Sequence, residues 1–210
     1  MPGTTRAYYR RLFPWDADRY AAHLKALTPQ GRRWRFCGTM SDGALEEHAA
    51  RALDTGHVEG CFLDGKLIGA FELFIDPEPP GHAQVALSVD PAQAGQGLGT
   101  ELIARARRRA SLLGAPEIDL TMAGDNLAMI AVARHAGAPI VRSGPEVGAT
   151  VAVPPPDLSR LPAAIALDEA SLVQSLSAAM LRAGRAAVAR AMARPAMLRA
   201  AFARPRIRTA

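Results

Sequence analysis

Lysine is nearly missing from this 210-residue chain: Lys25 and Lys66 stand against 23 arginines, a bias that tracks genome composition and carries no functional inference. Cysteine is as scarce. Cys37 and Cys61 are too few for a disulfide framework and lack metal-ligand spacing, so neither a stapled scaffold nor a zinc site is expected. Their apolar, strand-like neighbours predict buried thiols in a reducing cytosol. No uninterrupted apolar run approaches membrane-spanning length, and Arg6, Arg10 and Arg11 are not followed by an apolar segment. Secretion and a transmembrane segment are both disfavoured, and a cytoplasmic location is expected. Acidic residues stop at Glu169, whereas Arg182, Arg185, Arg190, Arg194, Arg199, Arg204, Arg206 and Arg208 follow it. The formal charge of +5 therefore resides in the tail, which leaves the first 169 residues at −3. Aromatic residues are few, and Phe202 alone is interleaved with those arginines, which weighs against nucleic acid as a partner.

What remains is 49% hydrophobic and long enough for one buried domain plus an appendage. Helical periodicity covers residues 16–27, and residues 32–39 read as the first clear strand. Ser41 precedes a helix running to about residue 53, with Glu46 and Glu47 in its early turns. Residues 57–63 and 66–75 flank Asp64-Gly65, a strong hairpin signal, and a Pro/Gly-rich turn is expected at 77–81. Another strand is expected at 117–122, and residues 140–142 and 147–153 form a terminal strand pair. Pro154, Pro155 and Pro156 then end regular pairing. The chain thus divides into a domain at 1–153, a Pro-rich linker at 154–167 and a basic helical tail at 168–210. Within that tail Val173, Met180, Leu181, Val188 and Met192 share one side, and most arginines of residues 182–194 the other. Packing on its own domain or on a partner protomer, as a homodimer, is favoured over lipid.

The most informative stretch is residues 85–102, VALSVDPAQAGQGLGTEL. Val85, Leu87 and Val89 alternate with small residues, Asp90-Pro91 ends the run, and Gly95, Gly97 and Gly99 lead into an apolar-periodic helix. Glycines let successive backbone N–H groups share one concavity, and the helix start adds partial positive charge, so this turn is built to cradle phosphate. Thr100-Glu101 stands where a Walker loop requires Lys-Ser or Lys-Thr. The glycine spacing G-x-G-x-G also departs from the dinucleotide fingerprint, and no second βαβ half is evident.

Gly95-Gln96-Gly97-Leu98-Gly99 after such a strand instead resembles the acetyl-CoA loop of the GNAT superfamily of N-acetyltransferases. A second block, residues 125–138, resembles that superfamily's next element, an Asn-led helix closing in glycine. Physically, Asp125 or Asn126 can cap it, Met129, Val132 and Ala133 make an apolar face, and Gly137 suits a left-handed stop. The resemblance extends more weakly over residues 15–153, including the segment Arg33 to Phe36 and the strand Phe71-Glu72-Leu73. It implies an α/β fold with a mixed, splayed central sheet flanked by helices, and acetyl-CoA as acyl donor. It further implies that the backbone of Leu87 and Val89 binds the pantetheine arm and that Gly95, Gln96, Gly97, Gly99 and Thr100 hold the pyrophosphate. Asn126 and Met129 complete the donor site.

The activity implied is direct transfer of an acetyl group to an amine, small molecule or protein lysine. Three positions depart from the family pattern: Ala94 replaces an Arg or Gln, Ala133 the general-acid tyrosine, and Gln84 an early-strand glutamate. The Asn126 to Met129 spacing is similar to that of bacterial protein-lysine acetyltransferases, some of which also lack the tyrosine. Glu72 is then the nearest strand carboxylate, either a general base with a pKa raised by burial or a surface-facing residue of an alternating strand, and His82 and His135 are weaker candidates. The alternative is a degenerate acyl-CoA-binding module whose basic tail meets an acidic partner.

Overall fold

The computed structural model describes residues 7–75, 82–157, 159 and 161–201. The turn expected at 77–81 lies outside the described residues. Seven strands form one sheet in the order β1-β2-β3-β4-β5-β7-β6. They are β1 (Tyr8–Arg11), β2 (His57–Leu63), β3 (Lys66–Ile75), β4 (His82–Val89), β5 (Glu117–Ala123), β6 (Ile140–Ser143) and β7 (Glu146–Ala152). Every pairing is antiparallel except β4 with β5. The β2–β3 hairpin closes at Leu63 and Lys66 through Asp64 and Gly65, both at positive φ as such a two-residue turn requires.

Six helices pack on the two faces: α1 (Ala17–Ala26), α2 (Pro29–Phe36), α3 (Asp42–Thr55), α4 (Leu98–Leu112), α5 (Leu127–His135) and α6 (Leu161–Ala201). Leu24, Leu45 and Ala49 of α1 and α3 cover one face over Val58, Phe62 and Ala70. On the other, Leu102, Ile103 and Ala106 of α4 and Ile130 of α5 pack on Phe71, Leu73, Val85, Ile118 and Leu120. Each large aliphatic or aromatic side chain so buried contributes about 1.5–3 kcal/mol. The expected α/β fold with a splayed sheet is what forms.

Local signals explain most of these elements. Ser41 accepts from the Ala44 N–H at 3.2 Å to start α3, and Asn126 accepts from the Met129 N–H at 3.1 Å to start α5, which ends before Gly137 at φ +81°. Two segments differ from expectation. Residues 32–39 are not a strand: Thr28 caps Gly31 N–H at 3.0 Å, Pro29 occupies the first turn, and α2 follows. Its alternation of Arg, Trp and Phe is that of a helix with no fully buried apolar residue, not of a half-buried strand. The first strand is instead β1, which sequence reading missed.

The C-terminal helix begins at Leu161, inside the stretch expected to be a linker, and it docks on the body. Arg109 of α4 holds Asp168 with two bonds of 2.9 and 2.5 Å, and Trp15 Nε1–H donates to Ser175 Oγ at 2.7 Å. Ser175 in turn donates to Asp16, which is wholly buried and carries a two-pronged pair with Arg10 at 2.8 and 2.9 Å. By length and composition alone, Leu161–Ala187 (27 residues, mean hydropathy 1.2) is apolar enough to cross a membrane. Sequence reading did not find that candidate because Asp168, Glu169, Arg182 and Arg185 interrupt it.

Both hydrophobic clusters lie within residues 8–153. A chain ending at Pro156 should therefore keep a cooperative thermal transition, at a lower temperature, because Asp16 loses the Ser175 hydroxyl and its cover, a cost of about 1–3 kcal/mol. Denaturant melts of both lengths measure this; loss of the transition would make α6 part of the folding unit.

Candidate active site

The site begins where β4 and β5 part. These strands pair in register only at His82↔Glu117, Ala83↔Ile118 and Gln84↔Asp119, after which they diverge. Each arm is braced on its outer side. β4 stays paired with β3 from Ala83↔Ile75 to Val89↔Gly69, and β5 with β7 along its whole length. A side chain adds to the first brace: His23 of α1, buried, accepts from Ser88 Oγ through Nε2 at 2.9 Å and donates from Nδ1 to the Leu67 carbonyl at 3.2 Å. Desolvation depresses its pKa to about 4, so the ring is neutral at pH 7 and this tautomer is fixed.

Beyond β4 the chain turns through Asp90, whose carboxylate accepts from Ala92 N–H at 3.0 Å and from Lys66 Nζ at 2.6 Å. Gly95 and Gly97 follow at φ +76° and +81°, and a Cβ built on either would meet no atom within 4 Å. Gly97 is also the N-cap of α4, with no side chain capping it. The opening N–H groups of α4 thus face open space beside two glycines, the arrangement that accepts an anion. Gly99 serves packing instead, since its Cβ position lies 3.3 Å from Val132 of α5. Leu87 and Val89 are half-buried on the α4 side, Met129 packs near them, and Asn126 Oδ1 is committed to capping α5. Only the amide NH₂ of Asn126 is left for a ligand.

On the opposite face a chamber of about 700 Å³ opens. Glu72, Phe74, Gln84 and Ala86 line it from β3 and β4, Asp119 and Thr121 from β5, Thr150 from β7, Arg35 and Cys37 from the α2 end, and His48 from α3. Glu72, 1% exposed, is its electrostatic centre. Arg35 Nη2 lies 2.6 Å from Oε2, His48 Nε2–H donates to Oε1 at 2.8 Å, and the buried Tyr20 hydroxyl donates to Oε1 as well. Burial pushes this carboxyl up, but the Arg35 charge, then His48 and the Tyr20 hydrogen bond, hold its pKa at about 2. The expectation of a raised pKa is thereby reversed. Glu72 is a locked anion, not a poised base.

Asp119 is different. Its side chain is 39% exposed, it accepts from Thr150 Oγ1 at 2.7 Å, and the exposed His82 Nδ1 lies 3.4 Å away, with no guanidinium on it among the described residues. His135 ends α5 on the surface and does not line the chamber. Cys37 is not buried as expected: it is the exposed left-handed C-cap of α2, at φ 49°, whereas Cys61 is buried. Ala133 is fully buried in the α4–α5 core, so the missing tyrosine has no space there. Arg33, and Trp34 at 2.9 Å, bond Asp125 at the head of α5, which ties α2 to the far side of the parting. Sequence reading missed Arg35, His48 and Asp119; the alternation of Asp119 and Thr121 against buried neighbours was the one signal that marked this face.

A mixed sheet parted at its parallel pair, with an uncapped glycine-led helix beside one arm, defines an acyltransferase fold. The chain belongs to the acetyltransferase (GNAT) family, whose model matches residues 11–138. Solved structures agree on the fold. The GNAT domain of S. lividans PAT is 19% identical, with TM-score 0.62 over 70% of this chain and 90% of its own. The PaiA N-acetyltransferase of Thermoplasma acidophilum, solved in complex with coenzyme A, is 17% identical, with TM-score 0.57 over 70% and 99%. YncA of Salmonella typhimurium, solved with acetyl-CoA, is 16% identical, with TM-score 0.52 over 70% and 94%. No curated protein matches the chain.

Glu72→Gln tests the locked-anion reading through stability. The buried Arg35 would lose its counter-charge, a loss of about 3–5 kcal/mol in denaturant melts. Because the native pKa is depressed from 4.5 to about 2, the wild-type contribution is full above pH 4.5 and drains away as pH falls toward 2. The variant should lack that acid-dependent slope, and equal slopes would refute the assignment.

Proposed function

We propose that the chain transfers the acetyl group of acetyl-CoA to a primary amine, from a small molecule or a protein lysine, admitted through the chamber. The observation that carries this is the parting of β4 and β5 after Gln84 and Asp119, between an open glycine-led helix start and an acid-lined cavity. The thioester supplies an activated acyl carbon. Backbone groups of Leu87 and Val89 hold the pantetheine arm, and the N–H groups of Gly95, Gln96, Gly97, Gly99 and Thr100 hold the pyrophosphate. Asn126, through its amide NH₂, and Met129 flank the arm. Ala94 carries no charge to that phosphate, so the cradle depends on main chain.

In the transfer, a C–N bond forms as the C–S bond breaks, and the amine must shed a proton. Glu72 is already ion-paired with Arg35 and accepts from His48 and Tyr20, so it positions those groups and takes no proton. Asp119 draws in the protonated amine and passes its proton to water at the chamber mouth. Ala133 offers no acid to the departing thiolate, which leaves unassisted from that position.

Two variants test this reading. Gly97→Glu places a Cβ and a negative charge where phosphate must approach, and it should raise the Kd for CoA by at least tenfold in calorimetry, with the fold kept and stability in the melt lowered by only about 1–2 kcal/mol, the cost of a side chain at φ +81°. Asp119→Asn should leave CoA affinity intact and raise KM for the amine about tenfold or more in a thiol-release assay over lysine peptides, polyamines and small amines. CoA binding without thiol release from any of these would identify a binding module rather than an enzyme.

A further inference from the structure

A second pocket, of about 520 Å³, opens between α4 and α6, and it shares no lining residue with the chamber or with the glycine turn. Its floor is the edge pair β1 and β2, through Tyr9, Arg11 and Glu59. The volume lies within the range of about 300–1,000 Å³ that small-molecule sites occupy. Leu112, Pro154, Pro155, Ala164 and Leu167 make its apolar side.

Five arginines also line it, and four of them are matched by acids. Arg10 pairs with Asp16, Arg105 with Glu59 at 2.7 Å, Arg108 with Glu101 at 3.1 Å, and Arg109 with Asp168 at 2.5 Å. The remaining acid of the lining, Asp157, accepts from Ser159. Arg11 is left. Its guanidinium carbon lies over the Phe13 ring at 5.3 Å, no acid pairs with it among the described residues, and its Nε is buried without a hydrogen-bond partner. His57, on the same strand as Glu59, is also buried, and desolvation with the charges of Arg109 and Arg11 holds its pKa at about 2. That ring is neutral, so the charge left over is the single one on Arg11.

One unmatched guanidinium beside an apolar wall defines a ligand's chemistry. Its planar fork meets a carboxylate through two parallel bonds, whereas the second charge of a phosphate would find no free cation. We infer that this pocket binds a small monocarboxylate with an apolar body, its carboxylate on Arg11 and its hydrocarbon against Leu112, Pro155, Ala164 and Leu167. Since β1, α4 and α6 each give a wall, the ligand bridges the body and the C-terminal helix. The site is independent of the acetyl-transfer reading and stands if that reading fails.

The test is calorimetry and thermal melting of the full chain with octanoate, and with octanol, octylamine and octyl phosphate as controls of equal length. Octanoate should bind at one site per chain and raise the melting temperature, and the three controls should each bind at least tenfold more weakly. Arg11→Gln, at a side chain that pairs with no acid, should weaken octanoate at least tenfold, as should Ala164→Phe, which fills the cavity. Both variants should keep the far-UV spectrum, a cooperative melt and the wild-type Kd for CoA. Octanoate bound equally by wild type and Arg11→Gln overturns the proposal, as does the absence of saturable binding or an equal affinity for octanol. Tighter binding of octyl phosphate would assign the pocket to a phosphate, and displacement of octanoate by CoA would place it in the donor site; either result overturns the proposal.

Discussion

The site depends on the loss of pairing between β4 and β5 beyond Gln84 and Asp119 more than on any side chain. Backbone N–H and C=O groups lose free energy when they leave a ladder without a new partner, so a parted sheet persists only where its arms are held from outside. Here β3 and β7 hold them along the length of the gap, and the His23–Ser88 bond fixes β4 to α1 just before the strand ends. The open groups between the arms are consequently fixed in place before any ligand arrives. Such preorganised dipoles need no reorganisation when a polar chain is laid between them.

The chamber side is assembled by charge where the α4 side is assembled by packing. Tyr20, Arg35 and His48 come from three different helices and converge on one carboxylate carried by β3. α2 buries no apolar residue fully, and it is held over the parting by the buried Arg35 guanidinium on Glu72 at one place and by Arg33 and Trp34 on Asp125 at another. An apolar helix interface tolerates sliding, whereas two ion-pair anchors fix a register. This explains why a carboxylate is buried and ionised at the chamber wall: neutralising it would release the helix that shapes the cavity.

What the sequence disclosed was what local chemistry dictates. The glycine turn at Gly95 and Gly97, the Asn126 cap and the Asp64-Gly65 hairpin each follow from a few adjacent residues, and each is where it was expected. The partners of Glu72 were illegible because they lie 52, 37 and 24 residues away, and no periodicity links them. Its pKa was misjudged for the same reason, since burial was inferable and the guanidinium was not. Residues 32–39 failed differently. Their alternation outweighed a Thr28-Pro29 start signal that sits just upstream and that fixes the helix.

The inverted docking of α6 follows from the charged pair beneath it. Arg10 and Asp16 are both buried, and two-pronged pairing with Arg10 leaves the Asp16 carboxylate with acceptor capacity to satisfy. The Phe13 N–H meets part of that demand at 3.3 Å, and the Ser175 hydroxyl meets more. A leucine at position 175 would bury the carboxylate against carbon and forfeit the hydroxyl's bond, a penalty that packing area at one helix face does not offset. Amphipathicity alone therefore predicts the wrong side for contact. Val173 and Met180 face outward because the body's need at that surface is for hydroxyls.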